Sequence, residues 1–446
     1  MYTAQIGKII FERWQQRSGR TDTSVQEYFD EVFFPLFFDN ERYLMLANNS
    51  KFDQAYKQKK KKPLTQEVRL TALADFHTAV EEVEGFEGHL FMGGYSRSLD
   101  DATSSMISHQ MDIEFDQKEV YYSWLGMAAG IGIKGGVSLL TDDVNVLDQI
   151  VEGWTWYRTY MNREPSLKPH QIDTWNGWWL YHNNQRETSK TDPLANFPPA
   201  DAYTFKNGVG ALNTIDWFKC AFVLSQLLPA TDRLPVYVYS FGQTNTSIGF
   251  IPILLKDLRY LNSIYERLAE TEDITEEKTS LDRLYNTEYG FYTACRMGAI
   301  GLRTVEPKDL KKYMPEAGDK RRKPKPGKQT LSGDFITYQI WIIAMIKNED
   351  LLYSADRLAE ELTKVGSGSR GKSGLSNAVQ SVVEAGSLRQ FVTAVTDLMN
   401  HKDFKRENVD YEVFNDLVEQ IVKMPLANVP LLLTLLRFKF AFRNSK

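Results

Sequence analysis

Asp350-Leu351-Leu352-Tyr353-Ser354-Ala355-Asp356-Arg357-Leu358-Ala359-Glu360-Glu361-Leu362 runs on through Thr363-Lys364-Val365 into Gly366-Ser367-Gly368-Ser369-Arg370-Gly371-Lys372-Ser373. The last eight residues fit the Walker A pattern letter for letter. A phosphate loop here would make the C-terminal region an α/β nucleotide hydrolase; a plain Gly/Ser loop would make it helical. The phosphate loop needs a buried strand entering it, so that backbone N–H groups and a helix N-terminus converge on the anion. Leu351, Leu352, Ala355, Leu358, Ala359 and Leu362 instead recur at helical spacing between charged residues, so an amphipathic helix enters the loop. The 73 residues beyond Ser373 hold no hydrophobic strand ending in Asp to position magnesium. The stretch reads as a linker between two helices, with Arg370 and Lys372 as solvent-facing cations.

Working outward, the helical pattern extends from about Ser332 to the end. Leu388, Phe391, Val392, Val395, Leu398 and Met399 form one apolar face, opened by Ser387 and Gln390 as a capping box. Val413, Phe414, Leu417, Val418, Ile421 and Val422 form another that stops at Pro425. Asn428 and Pro430 start a last helix running to Phe442. Helices of this length joined by short polar loops imply an antiparallel bundle.

The N-terminal side mixes periods. Ile9, Ile10 and Trp14 are helical in spacing, as is the aromatic run Gln26–Phe38 until Phe33-Phe34-Pro35. Met111, Ile113 and Phe115 alternate with Asp112, Glu114 and Asp116 as a half-exposed strand. Tyr121–Leu140 reads as further strand. Asp142 or Asp143 caps a helix bearing Val146, Ile150 and Trp154. Pro235–Phe241 alternates as a strand, Gly242–Ser247 is a polar loop, and Phe250–Leu268 reads as a helix. The expected fold is α+β: a mixed α/β body over 1–307, of one or two subdomains, a basic Pro-containing junction over 308–331, and an antiparallel helical bundle over 332–446.

Composition limits the function classes. Of 446 residues, 42% are hydrophobic and 25% charged, which excludes wholesale disorder. Cys220 and Cys295 cannot build a disulfide framework or a four-cysteine zinc site and suit a reducing compartment. No secretory hydrophobic region opens the chain, and the run Phe335–Ile346 is short of the ~20 residues a membrane span needs. A cytoplasmic protein without a membrane partner is expected.

Catalytic constellations are weak. Gly130-Ile131-Gly132-Ile133-Lys134-Gly135 matches a dinucleotide fingerprint, but it leads into the strand-like Val137–Leu140 rather than a helix, so a turn between antiparallel strands is expected. Asp112, Glu114 and Asp116 with Lys118 share a strand face near Asp100, Asp101 and His109, where paired carboxylates could hold magnesium for a nuclease; a solvated face explains them more simply. The six histidines show no paired ligand spacing. Gly94–Arg97 is no nucleophile elbow. No catalytic residue, metal site or cofactor is expected, although a nucleotide hydrolase using Lys372 or a nuclease using Asp112 and Glu114 stays an alternative.

Charge is distributed unevenly. The net charge is -5. Lys57 and Lys59, Lys60, Lys61 and Lys62 cluster ahead of Pro63. Between Lys308 and Lys328, nine cations (Lys308, Lys311, Lys312, Lys320, Arg321, Arg322, Lys323, Lys325 and Lys328) face only Asp309, Glu316 and Asp319, a local charge of +6. Basic loops bounded by Gly and Pro can reach nucleic-acid phosphates and release condensed counterions. Gln243 and Asn245, in the polar loop, carry the amides that read base edges; Thr246 or Ser247 capping a helix is the plainer role for that loop. Seven of the nine tryptophans lie between Trp124 and Trp217; they read as core, with base stacking the alternative.

A mixed body, a basic junction and a helical C-terminal module together resemble the large subunit of type I CRISPR surveillance (Cascade) complexes. The texture is similar in Tyr28–Phe38 with its Phe-Phe-Pro, in Gly242–Ser247 leading into Ile248-Gly249-Phe250, and in the closing Pro430–Phe442 helix. The resemblance implies a non-catalytic DNA-recognition and scaffold subunit that reads a short motif flanking the target and starts duplex opening. It implies double-stranded and displaced single-stranded DNA as partners, the subunits of a guide-RNA-containing complex, and a helicase–nuclease recruited in trans. The contacts expected from chemistry are Lys59, Lys60, Lys61, Lys62, Gln243, Asn245, Arg321, Arg322, Lys323, Lys325, Arg370 and Lys372. A protein–protein scaffold without nucleic acid is the third class to be separated.

Overall fold

In a computed structural model, residues 2–45, 52, 65–82, 90, 92, 116–185, 189, 191–199, 202–240, 246–271, 280–324, 333–367, 374–404 and 409–444 are described. The chain divides into two compact units, Met1–Leu255 and Lys256–Lys446. Helix predominates, with one small antiparallel sheet and a separate hairpin, so the fold is α+β. The composition break over 308–331 is not the break between compact units; its described part lies inside the second unit, for reasons set by packing below.

The first unit is organised by aromatic burial. Helix α1 (Tyr2–Ser18) is followed by α2 (Val25–Tyr28), a π-helical stretch Phe29–Phe33 and α3 (Phe34–Phe37), which form one continuous helical run. Ser24 caps it: its Oγ accepts from the Glu27 N–H while the Glu27 carboxylate accepts from the Ser24 N–H. The π-turn places Phe29, Phe33, Phe37 and Phe38 on one buried side, each at most 1% exposed. Phe29 stacks on Phe76 of α4 (Gln66–Glu81) and meets Trp124 edge-on. Each such ring removes about 150–250 Å² from water, worth about 4–6 kcal/mol of gross transfer free energy. His77 bridges three elements here, with Nδ1 2.7 Å from the Tyr121 hydroxyl and Nε2 2.8 Å from the Asp30 carboxylate.

The expected strand over Tyr121–Leu140 is corrected in its first half. Lys118–Ala128 is helix α5, burying Val120, Tyr121, Trp124, Leu125 and Ala128. Burial around most of its circumference erased the 3.6-residue polar stripe by which a helix is recognised. It crosses α1 at backbone contact: a Cβ on Gly126 would lie 1.8 Å from the Thr3 carbonyl oxygen, and one on Gly7 would lie 1.8 Å from that of Tyr122. After α5, β1 (Ile131–Ile133) and β2 (Val137–Leu140) form an antiparallel hairpin, which disposes of the dinucleotide fingerprint as expected. Asp143 caps α6 (Val144–Arg163), accepting from the N–H groups of Asn145 and Val146.

Helix α7 (Ile172–Asn183) carries the run Trp175-Asn176-Gly177-Trp178-Trp179, all buried. Trp175 stacks on Tyr157 and Trp179, and the indole N–H groups of Trp175, Trp178 and Trp179 donate to the carbonyls of Gly153, Asn213 and Gln149. The Asn176 amide donates to the carbonyls of Ala128 and Gly130, joining α7 to the α5–β1 turn. The hairpin β3 (Tyr203–Lys206) and β4 (Val209–Leu212) precedes helix α8 (Trp217–Leu227). Strands β5 (Leu234–Ser240) and β6 (Thr246–Ile253) complete a sheet in the order β1-β2-β5-β6. The expected helix over Phe250–Leu268 therefore starts late. Phe250–Ile253 pairs with Leu234–Tyr237, and helix α9 runs Leu255–Thr271. The alternation of Ile251 and Ile253 with Phe250 and Pro252 is the strand signal that Pro252 obscured, since a proline inside a strand argues against it.

The second unit continues with α10 (Leu281–Leu284) and α11 (Phe291–Arg296), then two 3₁₀ turns, Leu310–Tyr313 and Pro315–Lys320. Among the described residues, six α-helices follow: α12 (Gly333–Ile346), α13 (Asp350–Ser367), α14 (Gly374–Glu384), α15 (Leu388–Met399), α16 (Tyr411–Lys423) and α17 (Val429–Arg443). Ser387 accepts from the Gln390 N–H, while the Gln390 side chain accepts from the Gly386 N–H and not from that of Ser387, so the expected capping box forms by half. Residues 302–313 are bound into this unit: the Trp341 indole donates to the Leu302 carbonyl, the Tyr338 hydroxyl donates to that of Lys308, and Tyr313 packs on Phe335, Tyr338 and Phe438. A charged stretch with buried anchors is part of a core, which is why its composition marks no boundary.

Among the described residues, no helix is long and apolar enough to cross a membrane.

Candidate nucleic-acid interface

The described part of the basic segment is a fixed surface. Leu310 and Tyr313 are buried, and Asp309 takes a left-handed φ of 69° to turn the chain between Lys308 and the first 3₁₀ turn. Lys312 lies 2.5 Å from Asp309, and that contact holds the Asp309 carboxyl below its ordinary range. Lys311 sits over the Tyr289 ring and 3.6 Å from the buried Glu306.

The continuation at 321–323 alternates in role. Arg321 points inward, with its side chain only 11% exposed: Nε donates to the Tyr313 carbonyl and Nη1 to the Glu384 carbonyl at the end of α14. Arg437 of α17, 2% exposed, donates to the same Tyr313 carbonyl at 2.9 Å and to the Arg322 carbonyl at 3.5 Å, and lies 3.2 Å from the Glu384 carboxylate. Burial pushes Arg437 down to about 10 and lowers Arg321, yet both stay cationic near neutrality. Arg322 and Lys323 point outward. Arg322 is 3.9 Å from Asp309, and Lys323, 74% exposed, is 3.6 Å from Glu384. Lys320 is exposed and makes no ion pair among the described residues.

The cations the sequence grouped together thus separate. Lys320, Arg322 and Lys323 stand outward, where they can meet an external anion, while Arg321 is drawn inward beside Glu384 and, with Arg437, holds the backbone that carries the other three. Clamped cations lose less conformational freedom on binding than cations on a free tail.

Lys59, Lys60, Lys61, Lys62, Gln243, Asn245, Lys325, Arg370 and Lys372 fall outside the described residues, as do Asp100, Asp101, His109, Asp112 and Glu114. The element entering the Walker-like loop is helix α13 as far as Ser367, so the strand a phosphate loop requires is not there. Asp116 lies just ahead of α5, its carboxylate accepting from the Lys118 N–H. Burial pushes the Cys220 thiol up to about 12 and the Cys295 thiol up to about 11, which fits inert core residues. Among the described residues no group of three or more His, Cys, Asp or Glu side chains is placed to hold a metal ion.

Sequence reasoning missed one feature. The β3–β4 hairpin turns at Asn207-Gly208, both at positive φ, and displays Phe205 at 64% and Val209 at 48% exposure around Lys206. Asn-Gly between alternating Tyr203, Phe205 and Val209 was the available signal.

No protein-family model, curated protein or solved structure matches this chain.

Proposed function

We propose that the chain is a non-catalytic DNA-recognition and scaffold subunit of an RNA-guided antiviral surveillance complex acting in the cytoplasm. The observation that carries the reading is the outward trio Lys320, Arg322 and Lys323 on a backbone clamped from inside by Arg321 and Arg437. Three outward cations on a held backbone can track phosphates without reading sequence, which suits a subunit whose target is chosen by guide pairing. In this reading Lys59–Lys62, Gln243 and Asn245 read the short flanking motif, and Arg370, Lys372 and Lys325 add phosphate contacts. The antiparallel bundle expected of the C-terminal helices guides the displaced strand, and a helicase–nuclease recruited in trans does the cutting. The exposed Phe205 beside Lys206 offers a ring on which a displaced base can stack.

The test is duplex and single-strand binding by the purified chain or complex before and after charge removal at Lys59–Lys62 and at Lys320, Arg322, Lys323 and Lys325, with the inward Arg321 left in place. Affinity that falls steeply with salt, and falls again on charge removal, supports the reading. Unchanged affinity refutes it and favours a protein–protein scaffold.

A further inference from the structure

Glu384 sits among more positive charge than it can balance. Its carboxylate lies 3.2 Å from Arg437, 3.6 Å from Lys323 and 4.0 Å from Arg321. In the same basic segment, Asp309 partners Lys312 and Arg322. Counting Glu316, whose charge also acts on Arg321, five cations face three carboxylates. Arg321 Nη2, moreover, is buried without an acceptor among the described residues. Buried donors are nearly always satisfied, so an orphaned guanidinium N–H beside surplus positive charge points to an anion.

We infer that the Glu384 carboxylate occupies a phosphate position: a backbone phosphodiester replaces it between Arg437, Lys323 and Arg321 when nucleic acid binds. The inference rests on the nucleic-acid reading above and adds an intramolecular competitor to it. Three features fit. Glu384 is the last residue of α14, 30% exposed, so its side chain can swing into water without unfolding the helix. Arg321 and Arg437 are positioned by the Tyr313 carbonyl rather than by Glu384 alone, so they keep their places when the carboxylate leaves. The fork of a guanidinium suits phosphate and carboxylate oxygens alike.

The test compares wild type with Glu384→Gln and Lys323→Gln on the full chain. Fluorescence anisotropy with a labelled dT20 strand is measured across a salt series, and thermal unfolding is followed in inorganic phosphate against chloride at equal ionic strength. Removing the competing charge is expected to tighten dT20 binding about fivefold, the repulsion between unit charges ~4 Å apart in water. The salt slope should stay close to that of wild type, since the same phosphate is neutralised in both and only its competitor is gone. Phosphate should raise the unfolding temperature of Glu384→Gln more than chloride does. Lys323→Gln, altering an exposed side chain, should weaken binding and flatten the slope by about 0.7, and it carries the test if Glu384→Gln does not fold. If wild type binds dT20 but neither variant changes affinity or slope, Glu384 is a structural strut and the inference is overturned. If wild type binds no strand while phosphate specifically stabilises Glu384→Gln, the anion position stands and the nucleic-acid reading falls.

Discussion

Arg437→Met is the substitution whose outcome the structure specifies most fully. Methionine fills a similar volume on the buried face of α17, so the change removes chemistry more than packing. It leaves the Tyr313 carbonyl with Arg321 as its side-chain donor and deprives the Arg322 carbonyl of its Arg437 partner. It also leaves Glu384 with Lys323 and the more distant Arg321. A hydrogen bond to a charged group is worth about 1.5–3 kcal/mol, and breaking a buried ion pair costs about 3–5. Because Glu384 is 30% exposed and keeps other cations, the pair term is discounted, leaving about 2–4 kcal/mol. Hydrogen exchange by mass spectrometry reads this locally. Peptides covering 310–324 and α17 should exchange faster by about one and a half to three powers of ten, while α7, in the other unit, stays unchanged as an internal control. Adding Glu384→Gln should recover part of the loss, since the neutral amide no longer needs the charge. Less than a threefold change in the 310–324 peptides would refute the clamp.

Replacing Lys320, Arg322 and Lys323 together by Gln should leave thermal stability within about 0.5 kcal/mol, as expected of surface positions, while flattening the duplex salt slope by up to about 2.7; filter binding across a salt series checks it. Gly126→Ala drives a Cβ into the Thr3 carbonyl, and the first unit should lose at least about 1–3 kcal/mol, the usual cost of overpacking, in urea unfolding. With thiol pKa values raised to about 12 and about 11, Cys220 and Cys295 hold almost no thiolate at pH 8. A disulfide reagent should therefore leave both untouched in the native protein, react with both in denaturant, and gain native reactivity only as pH climbs toward those values.

What was legible in the sequence follows from how one-sided each element is. Helices α13, α15 and α16 each keep one wet face, and their apolar residues Leu351–Leu362, Phe391–Leu398 and Val413–Ile421 declared them. Helix α5 has almost no wet face, so Tyr121–Ala128 resembled a buried strand. Caps were readable because they are local: Asp143 and Ser387 each act within three residues. The candidate interface was readable only as a charge count. That Arg321 turns inward while Arg322 turns out depends on Tyr313, eight residues back, and on Glu384 and Arg437, which lie far along the chain. Nor does a Gly-Ser-Arg-Gly-Lys-Ser string say what precedes it in space; helix α13 does.

The proposed role, a DNA-binding subunit of a guide-RNA assembly, can be tested in the cell. The most direct measurement is to isolate the tagged full chain from its own cells and identify what accompanies it. A repeated backbone subunit together with an RNA of one discrete length is expected. A lone chain carrying no nucleic acid, recovered under salt low enough to preserve phosphate contacts, would contradict it.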